Sequence, residues 1–400
     1  MSLHDVASAE RLHIGFFGMR NAGKSSLVNA VTGQNLAVVS DVKGTTTDPV
    51  KKAMELLPLG PVVIIDTPGL DDEGELGALR VEKARQVLSK TDIAVLVLDG
   101  TVGLRREDSD LLSLFKARKL PCIVVHNKAD LLTVRPSLPE NALYASAATG
   151  EGIHALKETL GRFAAGMKKE KVLVSDLFDP GDMILLVTPI DESAPKGRLI
   201  LPQQLVLRDI LDHHGMVTVC QDTELKAALA ALAKKPKLVI TDSQVFGKVS
   251  RDTPEDIPLT SFSILMARYK GELETLVQGA AALGRLKDGD KVLISEGCTH
   301  HRQCNDIGTV KMPKWIQDFA NAKLDFAFTS GGEFPADLSE FALVVHCGGC
   351  MLNDTEMKHR LDVCREAGVP VVNYGVAIAR IHGILKRSLA VFPRISELLN

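Results

Sequence analysis

The chain has 400 residues, of which 45% are hydrophobic and 24% charged, and its formal net charge is −3. These values are typical of a globular protein with two or three domains, and they argue against a protein that binds nucleic acid by bulk electrostatics. No stretch reaches the roughly 18 apolar residues of a membrane span, and the polar N-terminus lacks a signal-peptide pattern. We therefore expect a cytoplasmic protein that contacts neither membrane nor nucleic acid.

Residues 12–168 alternate apolar strands with amphipathic helices, which predicts a parallel sheet covered by helices on both faces. The predicted strands are Leu12–Phe17, Val62–Ile65, Ile93–Leu98, Cys122–Val125 and Leu143–Ala145. A basic stretch at Gly166–Lys171 and a turn signal at Asp179–Gly181 then indicate the first domain boundary.

The segment Gly18–Ser25 matches the phosphate-binding pattern GxxxxGK[ST] between a predicted strand and a predicted helix. Its backbone N–H groups and the helix N-terminus would bind phosphates, Lys24 would reach the β and γ phosphates, and the Ser25 hydroxyl would ligate Mg²⁺. The predicted residues are Gly18, Asn21, Ala22, Gly23, Lys24, Ser25 and Ser26.

Two further segments are predicted to complete the phosphate and Mg²⁺ site. Asp66 ends an apolar strand, where its carboxylate can hold Mg²⁺ through water, and the Gly69 N–H can sense the γ-phosphate. The polar loop containing Thr45 and Thr46 can supply a hydroxyl ligand for Mg²⁺, which we assign to Thr46. The predicted catalytic residues are Lys24, Thr46, Asp66 and Gly69.

The base-binding residues are predicted at the ends of two later strands. In the segment Asn127, Lys128, Ala129 and Asp130, the Asp130 carboxylate can accept both N–H groups of a guanine edge, which adenine does not offer. Ser146 and Ala147 suit the loop behind the base. Each motif alone could be a strand-end turn, but five motifs in order predict GTP binding.

The rest of the chain repeats the α/β pattern on a smaller scale. The predicted strands are Met183–Val187, Met216–Cys220, Leu238–Thr241, Val292–Ser295, Phe326–Thr329, Leu343–His346 and Val371–Asn373. The proline- and acid-rich segment Arg251–Pro258 is interpreted as a second linker. The predicted fold is thus α/β, with a P-loop GTPase domain (residues 1–168) followed by two smaller domains (175–258 and 262–400) with mainly parallel sheets.

The seven cysteines do not indicate a disulfide framework in a long cytoplasmic chain. Cys122, Cys220 and Cys364 lie in apolar or helical segments, and we interpret them as structural thiols.

The remaining cysteines predict a metal site. Cys298 and His300 follow one predicted strand, and His346, Cys347 and Cys350 follow another. Because the carboxyl ends of parallel strands share one edge of a sheet, the two segments should converge there. The ligand types fit structural zinc as well as an iron–sulfur cluster, and a redox CxxC pair or inert thiols are further alternatives.

The nucleotide motifs resemble the GTPase branch that contains the tRNA-modification and ribosome-assembly GTPases. In members of that branch activated by potassium, an asparagine occupies the P-loop position of Asn21, so the resemblance implies a K⁺ ligand there. Leu70 stands where Ras-like enzymes carry a water-orienting glutamine, which implies slow intrinsic hydrolysis.

The whole chain resembles the FeFe-hydrogenase maturation GTPases (HydF). The likeness lies in the CxH and HCxxC segments, GTTTDP and DTPGLDDEGELG. The resemblance implies that Cys298, Cys347 and Cys350 hold a 4Fe–4S cluster, with His300 and His346 as part of the family pattern. It leaves the fourth ligand open among His300, His346, Cys304, Asp306, Glu296 and an exogenous group.

The resemblance further implies a GTP-binding scaffold that assembles and delivers the diiron subcluster of FeFe-hydrogenase. Its middle domain would dimerise, and its partners would be radical-SAM maturases and the apo-hydrogenase. An RNA-modification or ribosome-assembly GTPase with a zinc-stabilised C-terminal domain is the main alternative, and an iron–sulfur redox protein with a regulatory GTPase domain is a third.

Overall fold

The protein is described here from a computed structural model, which covers residues 10–34, 50–67, 86–167, 171–190, 199–270, 272–297 and 307–399. The chain divides into two compact units, Met1–Lys169 and Glu170–Asn400.

The first unit contains a six-stranded sheet with the order β2-β3-β1-β4-β5-β6. Its strands are β1 (Leu12–Phe17), β2 (Val50–Leu56), β3 (Gly60–Asp66), β4 (Ile93–Asp99), β5 (Cys122–Asn127) and β6 (Ala142–Tyr144). Its helices are α1 (Lys24–Thr32), α2 (Arg106–Ala117) and α3 (Ile153–Met167), with a 3-10 turn at Ala129–Leu131.

Consecutive residues of each central strand pack on opposite faces of this sheet. Phe16 and Ile64 belong to one buried cluster, whereas Phe17 and Ile65 belong to another. Because both faces are covered, β4 consists of the almost continuously apolar sequence IAVLVLD. The predicted sheet with helices on both faces is confirmed, and its strands are parallel except for β2.

Strand β2 was not predicted from the sequence. It is the antiparallel edge strand of the sheet and pairs with β3 from Val50↔Asp66 to Leu56↔Gly60. Its sequence VKKAMEL carries exposed lysines at Lys51 and Lys52, which are usual on an edge strand but hide the apolar pattern that predicts a buried strand.

The second unit contains two four-stranded parallel sheets with the orders β10-β9-β7-β8 and β12-β11-β13-β14. Its strands are β7 (Met183–Val187), β8 (Met216–Cys220), β9 (Leu238–Thr241), β10 (Leu259–Ser261), β11 (Lys291–Ser295), β12 (Asp325–Thr329), β13 (Leu343–His346) and β14 (Val371–Asn373). Its helices are α4 (Leu201–Asp212), α5 (Leu225–Ala231), α6 (Phe246–Asp252), α7 (Phe262–Tyr269), α8 (Leu273–Gly279), α9 (Met312–Ala320), α10 (Asp354–Glu366), α11 (Tyr374–Ile381), α12 (Leu385–Ser388) and α13 (Pro393–Ser396).

The segment Arg251–Pro258 does not separate two sheets, contrary to its interpretation as a linker. It leads from α6 into β10, which pairs with β9 in the same sheet through Leu259↔Val239. The three-residue strand after this segment, Leu259–Ser261, has a single apolar residue, so the sequence pattern did not reveal it.

The two sheets of the second unit share one hydrophobic core. Buried Leu185 and Ile240 of the first sheet belong to the same cluster as Leu293 and Val344 of the second. The segments predicted as separate domains, 175–258 and 262–400, therefore lie within one compact unit. Their assignment as two domains stays a prediction.

Each sheet of the second unit has a partly exposed strand at one end. Val219 of β8 is 45% exposed and Phe328 of β12 is 41% exposed, which leaves apolar surface at each edge. None of the helices in the described ranges combines the length and the apolar character that a membrane span requires.

Candidate functional site

The P-loop joins β1 to α1, and two glycines let it approach its neighbours closely. Gly18 has a φ of 138°, and a Cβ there would lie 2.2 Å from the Val97 carbonyl oxygen. A Cβ at Gly23 would lie 2.3 Å from Nδ2 of Asn127. Only glycine fits these positions, as the motif predicts.

The Lys24 ammonium is held inside this loop. Its Nζ donates hydrogen bonds to the carbonyl oxygens of Gly18 (2.9 Å) and Met19 (2.7 Å), and the residue is 7% exposed. Of the other predicted loop residues, Ala22 is buried, Ser26 is half-buried on α1, and Asn21 is exposed. The lysine thus lies inside the loop that the motif identifies, and its role in binding phosphate stays a prediction.

A buried carboxylate faces the Ser25 hydroxyl. Ser25 Oγ donates a 2.7 Å hydrogen bond to Oδ2 of Asp66, which is 2% exposed. Burial raises the pKa of Asp66, although the Ser25 hydrogen bond and the Lys24 charge act in the opposite direction. The second oxygen, Oδ1, has no hydrogen-bond partner in the structure. A hydroxyl beside a carboxylate oxygen with unused acceptor capacity fits Mg²⁺ or its bound water.

Asn127 joins the P-loop to the predicted base-binding loop. Its Nδ2 donates to the Ala22 carbonyl oxygen at 2.9 Å, and its Oδ1 accepts from the Ala147 N–H at 3.1 Å. Lys128 has a φ of 61° and its Nζ contacts Oδ2 of Asp99 at 2.6 Å. Asn127 therefore connects two loops that were predicted from separate motifs, the P-loop and the loop that contains Ala147.

The two segments that would contact the base are also next to each other. Asp130 is exposed in the 3-10 turn Ala129–Leu131, which leaves its carboxylate accessible to a guanine edge. Ser146 is buried, and its Oγ accepts from the Thr149 N–H at 3.2 Å, which shapes the loop that contains Ala147.

Arg135 ties these base-binding segments together, and the sequence analysis missed it. Nη2 of Arg135 donates to the Ala129 carbonyl oxygen at 2.8 Å, and the guanidinium pairs with both carboxylate oxygens of Glu151. Neither residue belongs to a motif, so only the fold brings the pair together.

Several predicted site residues lie outside the described residues: Thr45, Thr46, Gly69, Cys298, His300, Cys304 and Asp306. Their proposed roles remain predictions. Among the residues that the structure describes, no group of three or more His, Cys, Asp and Glu side chains could hold a metal ion.

Cys347 lies where the ends of two neighbouring strands meet. Ser295 of β11 pairs with His346 of β13, and Cys347 follows directly. Its Sγ accepts N–H groups from Gly297 at 3.0 Å and Gly349 at 3.4 Å. Gly297, which precedes Cys298 in the sequence, therefore lies next to the Cys347 sulfur.

The electrostatics of this site favour thiols over free thiolates. Burial raises the pKa of Cys347 to about 11, against the opposing effect of the Gly297 and Gly349 N–H groups. Burial also raises the pKa of Cys350, while the Lys270 charge opposes this shift. Such cysteines would release protons on binding a metal centre, and N–H groups aimed at sulfur fit an iron–sulfur cluster.

The two further candidate ligands that the structure describes are both hydrogen-bonded. His346 is 1% exposed, with Nδ1 2.7 Å from the Cys347 carbonyl oxygen and Nε2 3.1 Å from Nη1 of Arg360. Glu296 is 4% exposed, and its Oε1 accepts from the Tyr374 hydroxyl at 3.1 Å. For His346 to ligate a metal, one of its two contacts would have to break, whereas the Glu296 carboxylate has further lone pairs.

Three successive segments of the chain match three different family models. Residues 13–128 match the family model described as 50S ribosome-binding GTPase. Residues 173–271 match the hydrogen maturase F dimerization domain, and residues 274–391 match the hydrogen maturase F tetramerization domain.

The similar curated proteins include tRNA modification GTPases MnmE. The protein of Nitrosomonas europaea is 35% identical over 156 residues, which are 38% of this chain and 34% of that protein. The protein of Legionella pneumophila is 36% identical over 159 residues, 39% of this chain and 35% of that protein. The match thus spans about a third of the length of these relatives.

Among solved structures, Era of Aquifex aeolicus bound to GDP and AlF₄⁻ has a TM-score of 0.35 and 22% identity, covering 52% of this chain and 94% of that one.

The second unit is matched by two consecutive hydrogen maturase F domains, which follow the segment matched by the GTPase model. The chain belongs to the hydrogen maturase F (HydF) family.

Proposed function

We propose that this protein is a GTPase of FeFe-hydrogenase maturation that assembles and delivers the diiron subcluster. In this proposal the second unit holds a 4Fe–4S cluster through Cys298, Cys347 and Cys350, and GTP binding in the first unit switches partner contacts. The observation that carries the cluster assignment is the 3.0 Å hydrogen bond from the Gly297 N–H to the Cys347 sulfur. It brings the residue before Cys298 into contact with the second cysteine segment.

The residues of the first unit have separate roles in GTP binding and hydrolysis. Lys24 and the P-loop N–H groups bind the phosphates, Ser25, Thr46 and Asp66 hold Mg²⁺, and Asp130 selects guanine. Asn21 is the proposed K⁺ ligand. The two cations supply positive charge that offsets charge developing on the phosphates during hydrolysis.

Oligomer formation is the role named for the domains that match the second unit. The exposed apolar residues Met216 and Val219 of edge strand β8 support a self-association surface in the segment matched by the dimerization domain. We propose a homodimer or a higher oligomer, with radical-SAM maturases and the apo-hydrogenase as transient partners.

The similarity to MnmE favours an RNA-modification role only for the first unit. The matched 156 residues do not extend through the second unit, which contains Cys298, Cys347 and Cys350. A zinc-stabilised domain remains the chemical alternative for the cysteines, because zinc accepts the same ligands.

Metal analysis of anaerobically purified protein tests the cluster assignment. We expect about four iron and four sulfide per chain at full loading, as in a 4Fe–4S cluster. Replacing Cys298, Cys347 or Cys350 singly with Ala should remove most of the iron and its visible absorption. Cys220→Ala is the matched control, since this half-buried cysteine lies on β8, and it should leave iron unchanged. Stoichiometric zinc without sulfide would contradict the assignment.

A further inference from the structure

Arg360 is the largest fully buried side chain in the described part of the protein, with 1% exposure. A buried guanidinium is costly unless its charge is paired and its N–H groups are used. Here Nη2 donates to Oε1 of Glu356, one turn earlier on α10, at 2.8 Å. Glu356 is itself only 6% exposed. The charge is therefore compensated inside the protein.

The remaining N–H groups of Arg360 join three strand ends. Nη1 contacts Nε2 of His346 at 3.1 Å, at the end of β13, and Oγ of Ser295 at 3.3 Å, at the end of β11. Nη2 donates to the Gly331 carbonyl oxygen at 2.6 Å, just after β12. The candidate cysteine site lies at this same edge of the sheet.

The contact with Arg360 determines which ring nitrogen of His346 carries the proton. An arginine side chain has donors and no acceptor, so Nε2 of His346 must accept. The proton of the neutral ring then resides on Nδ1, which donates to the Cys347 carbonyl oxygen at 2.7 Å. The main chain at Cys347 is thus held by a continuous relay from Arg360 through His346.

We infer that Arg360 is a positioning residue of the cysteine site, and that His346 orients the Cys347 loop instead of ligating metal. This inference rests on the proposed function. The lone pair with which Nε2 could bind iron accepts the Arg360 N–H, and the other ring nitrogen is used by the Cys347 carbonyl. Arg360 fixes the direction of the loop that contains Cys347 and the Gly349 N–H bonded to its sulfur.

The test compares a double variant, Arg360→Met with Glu356→Gln, with wild type and with a control variant. The double variant removes both members of the buried ion pair and so leaves no unpaired charge. Arg387→Leu is the matched control. Arg387 donates to the carbonyl oxygens of Ser250 (2.6 Å), Thr253 (2.9 Å) and Pro254 (2.7 Å), away from the cysteines in sequence. The double variant and the control variant each lose an arginine that donates hydrogen bonds to main-chain carbonyl oxygens.

In the metal-free protein, we expect amide exchange at Cys347 and Gly349 to be faster in the double variant than in Arg387→Leu. After reconstitution, the double variant should bind iron about 10–100-fold more weakly than wild type in competition with a chelator, a usual effect of removing a residue behind a metal ligand. His346→Asn should show the same loss, with little further loss when combined with the double variant.

Two results would overturn the inference. One is amide exchange and iron retention in the double variant equal to those of Arg387→Leu. The other is nitrogen hyperfine coupling on the reduced cluster that disappears in His346→Asn, which would identify His346 as a ligand. If wild type binds zinc or no cluster, the proposed function fails, while exchange in the metal-free protein still tests the relay.

Discussion

Asn21 combines two properties that suit a ligand in the P-loop. It has a φ of 60°, a left-handed conformation that Asn tolerates better than most residues, and its side chain is exposed. An exposed amide within the phosphate-binding loop is available to a monovalent cation. This geometry supports the proposed K⁺ site.

Hydrolysis rates in K⁺ and Na⁺ at equal ionic strength test this role of Asn21. We expect a rate about tenfold or more higher in K⁺, because a single charge-stabilising group is commonly worth on the order of 10²-fold or more in rate. Asn21→Ala should abolish the difference while nucleotide affinity changes little. Equal wild-type rates in the two salts would exclude a K⁺-assisted mechanism.

The residues in motifs could be predicted from sequence, whereas the residues that hold them in place could not. Lys24, Asp66 and Asn127 occupy the positions that their motifs require, because each ends a strand or begins a helix. Arg360 reaches Ser295, His346 and Gly331 across long stretches of sequence, and a lone arginine on a helix normally indicates solvent exposure. No local pattern marks it as buried.

At the scale of secondary-structure elements, an ion pair joins the start of the second unit to α7. Nη1 of Arg268 donates to Oδ1 of Asp176 at 2.8 Å, in the 3-10 helix Ser175–Leu177. This hydrogen bond holds the pKa of Asp176 below its ordinary value of 3.8. The pair therefore stabilises the folded unit above that value, and the contribution is lost as the pH falls through the lowered pKa.

Asp176→Asn should lower the free energy of unfolding at pH 7 by less than about 1 kcal/mol, since the pair is partly exposed. The difference from wild type should be constant above about pH 5 and shrink at lower pH. Urea unfolding monitored by the fluorescence of Trp315, the single tryptophan, measures the free energy of unfolding of the second unit, because Trp315 lies on α9. A difference that grows as the pH falls would contradict the assignment.

Buried parallel strands were predicted almost to the residue, because apolar runs such as those of β7, β9 and β13 are short and bounded by turns. The edge strand β2 and the three-residue β10 were missed. An edge strand keeps polar residues toward solvent. Strand β10 contains the polar residues Thr260 and Ser261, so it lacks the apolar run that marks the equally short β14. The shared core of the second unit could not be predicted either, since it depends on contacts between elements distant in sequence.

At the scale of the whole molecule, the nucleotide motifs and the cysteine segments belong to different compact units. In the proposed function, GTP therefore acts on the protein surface and not on the cluster. The γ-phosphate orders the loops around it in GTPases, and its loss releases them, which changes the surface available to partners. In this proposal, cluster chemistry needs only residues of the second unit.

The separation of GTP switching in the first unit from cluster delivery by the second is tested most directly by a hydrogen-evolution assay. Apo-hydrogenase is mixed with protein that has been chemically loaded with the diiron subcluster. We predict that loaded wild type activates the hydrogenase without added GTP, that Lys24→Ala does so nearly as well, and that Cys298→Ala does not. Lys24→Ala should nevertheless impair maturation in the cell. A transfer that requires GTP hydrolysis, or normal transfer from Cys298→Ala, would contradict the account.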